Sequence, residues 1–174
     1  MHKLFHQITI CISDFSLLTK LHKAPENSAI VKGFGEVHYV DSFRLEKATD
    51  DSLQKITAAV FALPAWVYGL LHLRDLIVKP FGLKTGKKPE KEKDKSTEEY
   101  FFPVIELLDN EVVMGESDSH LNFRVSVLND RSANHIFVTT AVHFNNFWGR
   151  LYFLPVRPFH GIIVKACVKR LINK

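Results

Sequence analysis

Cysteine is scarce: the 174 residues carry two, Cys11 and Cys167. Neither has a CxxC or other metal-type spacing. That excludes a disulfide scaffold or a zinc ribbon, and the pair reads as two buried thiols of a reducing cytoplasm. A disulfide joining the chain ends has no support. No GxGxxG stretch is present, so a dinucleotide-binding oxidoreductase half is excluded and no cofactor is expected. No HExxH and no paired Cys/His ligand spacing accompanies the nine histidines, and no metal is expected. No serine occupies a nucleophile elbow. The opening "MHKLFHQITICISDF" has a short apolar run and no small-residue cleavage site, so it is not read as a secretory signal. Basic residues are scattered among acids, the net charge is a mild +4, and no basic patch interleaves with stacking aromatics. Nucleic acid is therefore not an expected partner.

Phenylalanine is what the chain has in excess, at 14 copies in a mix that is 46% hydrophobic and 24% charged. Such bulk implies a large core or an enclosed cavity. The length suits one domain spanning 1–174. The closing stretch "NFWGRLYFLPVRPFHGIIVKACVKRLINK" is apolar on nearly every side. Arg157, His160 and Lys165 interrupt it, so no transmembrane span is expected, and attachment at a membrane surface stands as a weaker alternative. The expected form is a buried helix, bent or delayed until about residue 158 by Pro155 and Pro158. Lys165, Lys169, Arg170 and Lys174 suit its C-terminal end.

The first 36 residues are hard to read: "QITICIS" predicts a short strand and "SDFSLLTKLHKAPENS" a short helix ended near Pro25. In "VHYVDSFRLE" the alternation predicts a half-buried strand over 37–46, with Val37, Tyr39, Asp41, Phe43 and Leu45 on the inward face. "TDDSLQKITAAVFAL" predicts a helix capped at Thr49 or Asp50. Pro64 suits the first turn of a second helix, striped by Trp66, Leu70, Leu73 and Ile77. Residues 84–99 are charged and of low complexity, and read as a mobile loop. From Phe101 onward "FFPVIELL", "EVVMGES", "HLNFRVSVL" and "HIFVTTAVHF" predict four strands. Their short turns, at 109–110, 117–119 and 129–134, imply an antiparallel meander. The order gives an α+β domain: a curved antiparallel sheet around a long C-terminal helix, with two short helices after the first clear strand.

The stretches "YVDSFRL", "PAWVYGLLHLRDLIVKPFGLKTG", "DSHLNFRVSVL" and "FWGRLYFLPVRPFHGIIVKACVKRL" resemble a bacterial domain-of-unknown-function family. The resemblance runs from about Val37 to the end. It implies a START-like, helix-grip (SRPBCC-type) fold, found alone or fused behind NAD(P)-binding, epimerase-like domains. It also implies a hydrophobic cavity between sheet and C-terminal helix.

Asp41 is the sharpest single residue. A carboxylate on an inward face must be paired or protonated, and Arg150, Arg157 and Arg74 are the candidate partners. Its bland reading is a buried link pinning strand to helix. Its functional reading is a polar anchor at one end of a cavity. Arg150 and Arg157 stand two helical turns apart on one face, where they can bind a carboxylate or phosphate head group or simply snorkel. Trp66, Tyr68, Phe102, Phe123, Phe144, Phe147, Tyr152 and Phe159 are the expected bulky core or lining. The candidate ligand-binding set is Tyr39, Asp41, Phe43, Phe123, Phe144, Arg150, Arg157 and Phe159. The favoured function is binding of a hydrophobic or amphipathic small molecule. One alternative is a cyclase-, dehydratase- or hydrolase-like enzyme using Asp41, His120, His143 or His160. The other is an interaction module docking an oxidoreductase or a second copy. "DSH" at 118–120 is no triad, because adjacent strand residues point to opposite faces and Ser119 and His120 cannot pair; it reads as a turn leading into a strand.

Overall fold

The computed structural model describes residues 18–47, 49–69 and 100–172. The expected strand at 7–13, Cys11, Arg74, the helical stripe beyond residue 69 and the loop at 84–99 lie outside them. Among the described residues six strands and two complete helices run in the order β1 (Leu18–Leu21), β2 (Tyr39–Leu45), α1 (Leu53–Phe61), β3 (Val104–Leu107), β4 (Glu111–Ser117), β5 (Leu121–Asp130), β6 (His135–Phe144) and α2 (Phe147–Lys169), and residues 65–69, just after Pro64, are helical as well. One antiparallel sheet joins the strands in the order β1-β2-β6-β5-β4-β3. A register shift between Val104 and Glu106 breaks the β3–β4 ladder.

The C-terminal meander follows directly from the sequence pattern. β4 and β6 coincide with "EVVMGES" and "HIFVTTAVHF", and β5 extends through Asp130, two residues past "HLNFRVSVL". Asn134, at φ 57, closes the β5–β6 turn in the left-handed region that asparagine tolerates. The inner face carries Phe43, Leu45, Val112, Met114, Val127, Ile136 and Val138, packed against Ile56 and Val60 of α1 and Cys167 and Val168 of α2. This is the main core.

Several expectations need correction. Residues 18–21 form a strand, not a helix: their backbone groups pair with residues 42–45 along the edge of β2. The cap of α1 is Ser52, whose hydroxyl accepts from the Lys55 amide at 3.3 Å. Thr49 is engaged instead in a local turn, accepting from the Asp51 amide. α2 is helical from Phe147 onward, through both prolines. Asn146 caps it by accepting from the Gly149 amide at 3.1 Å. Pro155 and Pro158 leave the carbonyls of Leu151 and Leu154 without helical partners, but all four residues are exposed, so water can serve those carbonyls.

Nor is α2 a buried helix. Its buried residues are Gly149, Phe153, Cys167 and Val168, all on the side facing the sheet and α1. Trp66, Tyr68, Phe147 and Phe159, expected as core, are exposed, and Val67 is the residue buried in the segment after Pro64. An all-round apolar sequence has no phase, so it gives no indication of which side packs.

The outer face of the sheet is covered as well. Residues 24–37 lie across it, with Ile30 fully buried against Val113 and Ala141. Glu111 and Arg124, both from the sheet, fasten this cover. Glu111 is buried and accepts from the Ser28 hydroxyl, the Ala29 amide and the Ser126 hydroxyl. Arg124 donates to the carbonyls of Ile30 (3.1 Å) and Lys32 (2.7 Å) and lies over the Phe34 ring. Gly33 and Gly35 supply the positive φ angles of 64° and 82° that this loop requires.

Candidate functional site

The chemistry-bearing residues gather where the β1–β2 edge meets the middle of α2. Asp41 faces inward on β2, as its alternation predicts, and is 1% exposed. Tyr39, two residues earlier on the same face, donates its hydroxyl to Asp41 Oδ2 at 2.8 Å. Lys20 reaches from β1 to the same oxygen at 3.7 Å. From α2, His160 Nε2 stands 3.4 Å from Asp41 Oδ1. That is an ion-pair distance whose alignment falls short of a hydrogen bond, and neither buried atom has another hydrogen-bond partner.

This set differs from the expected partners. Arg150 and Arg157 were candidates for Asp41, yet the groups that meet it are Tyr39, Lys20 and His160. The reason is helical phase. His160 lies on the inner side of α2 with Phe153 and Cys167, whereas the two arginines are turned roughly a quarter-turn away. There Arg157 covers the Tyr39 ring at 5.6 Å and Arg150 covers Phe144 at 5.9 Å. Lys20 gave no signal in the sequence, because only the β1–β2 register, Lys20 opposite Phe43, brings it there.

Electrostatics follow from the geometry. Burial pushes the Asp41 carboxyl up, but His160, Tyr39 and Lys20 together outweigh it and hold the group below the ordinary carboxylate value. Asp41 is thus an anion in a nearly dry site. Burial, reinforced by the bond to Asp41, pushes the Tyr39 phenol well above its ordinary range, so it remains a donor.

Above this cluster opens a cleft of about 320 Å³ lined by Lys20, His22, Tyr39, Arg157, Pro158 and Gly161. Gly161 has no side chain to fill the cleft. A second cleft of about 310 Å³, between α1 and Tyr100–Phe101, is lined by Thr57, Ala58, Phe61 and Ala62 and carries no charge.

The other candidates are placed as follows. Phe43 is buried in the main core. Phe123 packs on Phe102, and Phe144 on Phe153 and His38. Phe159 is exposed. The His38 and His143 rings meet at a tilt with centroids 4.7 Å apart, with His38 Nδ1 accepting from the Phe144 amide and His143 Nδ1 within 2.6 Å of the Glu36 carbonyl. No three-residue metal cluster occurs among the described residues.

"DSH" is the turn between β4 and β5, and it holds the start of α2. Asn145 donates to the Asp118 carbonyl at 2.6 Å and Asn146 to the Ser119 carbonyl at 2.9 Å. A Cβ on Gly149 would overlap the His120 carbonyl. The pairing of "DSH" with "NNFWG" in one sequence is therefore a single structural joint.

The fold and site define an α+β domain: a six-stranded antiparallel sheet with a C-terminal helix packed on one side, and a buried carboxylate cluster at their junction. The family comparison agrees in extent, matching residues 34–167 to the profile described as "Protein of unknown function (DUF2867)". The chain belongs to this family. No curated protein and no solved structure matches it. One helix among the described residues, Phe147–Lys169, is long and apolar enough to cross a membrane by length and composition.

Proposed function

We propose that this is a START-like domain that binds an amphipathic small molecule with a carboxylate or phosphate head. The observation that carries the reading is the cleft at the β1–α2 junction. Lys20 and Arg157 converge there from different elements, with His22 beside them and Tyr39 as its aromatic wall. Arg157 offers a planar donor fork, Lys20 a point charge already oriented by Asp41. Asp41 lies beneath them, so it positions Lys20 without facing the ligand. Two cations beside the Tyr39 ring and Pro158 give the cleft a polar side for a charged head and a small apolar side for the first carbons of a tail.

The test is calorimetric titration of the purified protein with dodecanoate and with dodecyl phosphate. Lys20→Ala and Arg157→Ala are each expected to weaken binding about tenfold, the worth of one charge-assisted contact. No heat with either probe, or unchanged affinity in both variants, overturns the reading.

A second reading has one observation in its favour. Asp41 and His160 face each other at 3.4 Å, the arrangement of a carboxylate orienting an imidazole base. An acid–base histidine must be reachable from the cleft. Its modification by diethyl pyrocarbonate should then be fast and blocked by dodecanoate. An inert His160 removes this reading and leaves the first intact.

A further inference from the structure

The outer side of α2 is unpartnered among the described residues. Phe147, Trp148, Leu151, Leu154, Phe159 and Ile162 are 69%, 52%, 42%, 64%, 48% and 59% exposed. At 100° per residue Phe147, Leu151, Leu154 and Ile162 form one stripe, with Trp148 and Phe159 beside it. Isolated exposed apolar residues are ordinary, but a continuous stripe four turns long marks an interaction surface.

Charge indicates what it meets. α2 contains Arg150, Arg157, Lys165 and Lys169 and no aspartate or glutamate. Arg150 and Arg157 flank the stripe along one side, their guanidinium groups lying over the Phe144 and Tyr39 rings. An apolar stripe rimmed by cations and free of carboxylates, with a tryptophan near one end, is complementary to an anionic lipid surface. A second copy is a poorer fit: an isologous contact would set two acid-free basic helices against each other. Spanning is also a poorer fit, because the inner side of α2 already packs on the sheet and α1. The carbonyls freed by Pro155 and Pro158 would moreover be unserved in hydrocarbon, whereas the headgroup boundary is wet.

We propose that the outer face of α2 docks, parallel to the surface, on a bilayer containing anionic lipid. This does not depend on what the cleft holds. The experiment is flotation of the full chain with phosphatidylcholine vesicles, alone or containing phosphatidylglycerol. The protein should float with the mixed vesicles, far less with the neutral ones, and be released in part by salt. Leu154→Gln combined with Ile162→Gln should weaken binding more than about tenfold. Arg150→Gln should weaken it about fivefold, on anionic vesicles only. Both variants alter exposed positions, and circular dichroism with thermal melting confirms that they fold. Absence of flotation with mixed vesicles, or equal flotation of the variants, overturns the proposal. So does a dimer in light scattering that Leu154→Gln dissociates, which would assign the face to a second copy. Trp148 fluorescence, read in a Trp66→Phe background, that resists acrylamide quenching in the lipid-free protein and is unchanged by vesicles would assign the face to a segment of this chain and also overturn the proposal.

Discussion

Replacing Asp41 by Asn isolates the charge at the centre of the site, because the side chain keeps its shape. Asp41 is 1% exposed and meets Tyr39, Lys20 and His160. The asparagine carbonyl can still accept from the Tyr39 hydroxyl, so that bond is retained. The anion facing Lys20 and His160 is lost. Removing one member of a fully buried ion pair costs about 3–5 kcal/mol. Lys20 is 41% exposed and can turn to water, which lowers the figure. We expect about 2 kcal/mol at pH 7. With a urea dependence of about 2 kcal/mol per molar, that moves the midpoint by roughly 1 M, easily read by circular dichroism. The sign with pH is fixed by the depressed carboxyl. Its contribution is fully present above the unfolded value of 3.8 and is lost as pH falls through the lower folded value. The gap between native protein and Asp41→Asn should therefore close on the acid side of 3.8. An Asp41→Asn protein as stable as the native one at pH 7, or a gap that persists unchanged in strong acid, would refute the reasoning.

Gly149→Ala should destabilise by about 1–3 kcal/mol in thermal melting, even though alanine is the better helix former by about 1 kcal/mol. The added Cβ meets the backbone carbonyl of His120, which cannot rotate away, so a neutral or stabilised variant would show that the joint is loose. Glu111→Ala should cost about 3 kcal/mol, since it strands the buried Ser126 hydroxyl and the Ala29 amide. It should also raise amide exchange selectively across residues 28–34, and uniform loss of protection would argue against a local fastening role.

The sheet was legible because strands facing two environments alternate. "EVVMGES" and "HIFVTTAVHF" have boundaries set by turn residues such as Asn110 and Asn134, and β4 and β6 keep them. β1 was not legible because edge strands are short and owe their form to a neighbour, here β2. Asp41 was legible as a lone carboxylate on an apolar face. Its partners were not, because Lys20 depends on strand register and His160 on helix phase. Glu111 was missed for a related reason. Standing at the start of β4, it reads as a solvent-facing charge, and only the cover formed by residues 24–37 buries it. Its signal, if any, was the pair of serines that binds it, and Ser28 lies more than eighty residues away in sequence.

α2 unites the two proposals through its phase. Three directions around one helix carry three tasks. Inward, Phe153, His160 and Cys167 tie it to the sheet and to Asp41. Sideways, Arg157 with Pro158 and Gly161 walls the cleft. Outward, Leu154, Phe159 and Ile162 face away from the other described residues. Residues 157–162 take part in all three within about one and a half turns. A surface that engages the outer stripe would therefore hold the mouth of the cleft beside the lipid headgroups. An amphiphile could pass between bilayer and cleft without crossing bulk water, with its charged head led by Arg157. The coupling is measurable. If both proposals hold, dodecyl phosphate affinity should rise when anionic vesicles are present, and Leu154→Gln with Ile162→Gln should abolish the rise while leaving affinity in solution unchanged. An equal rise in that variant would mean that vesicles deliver the probe without any docking by α2.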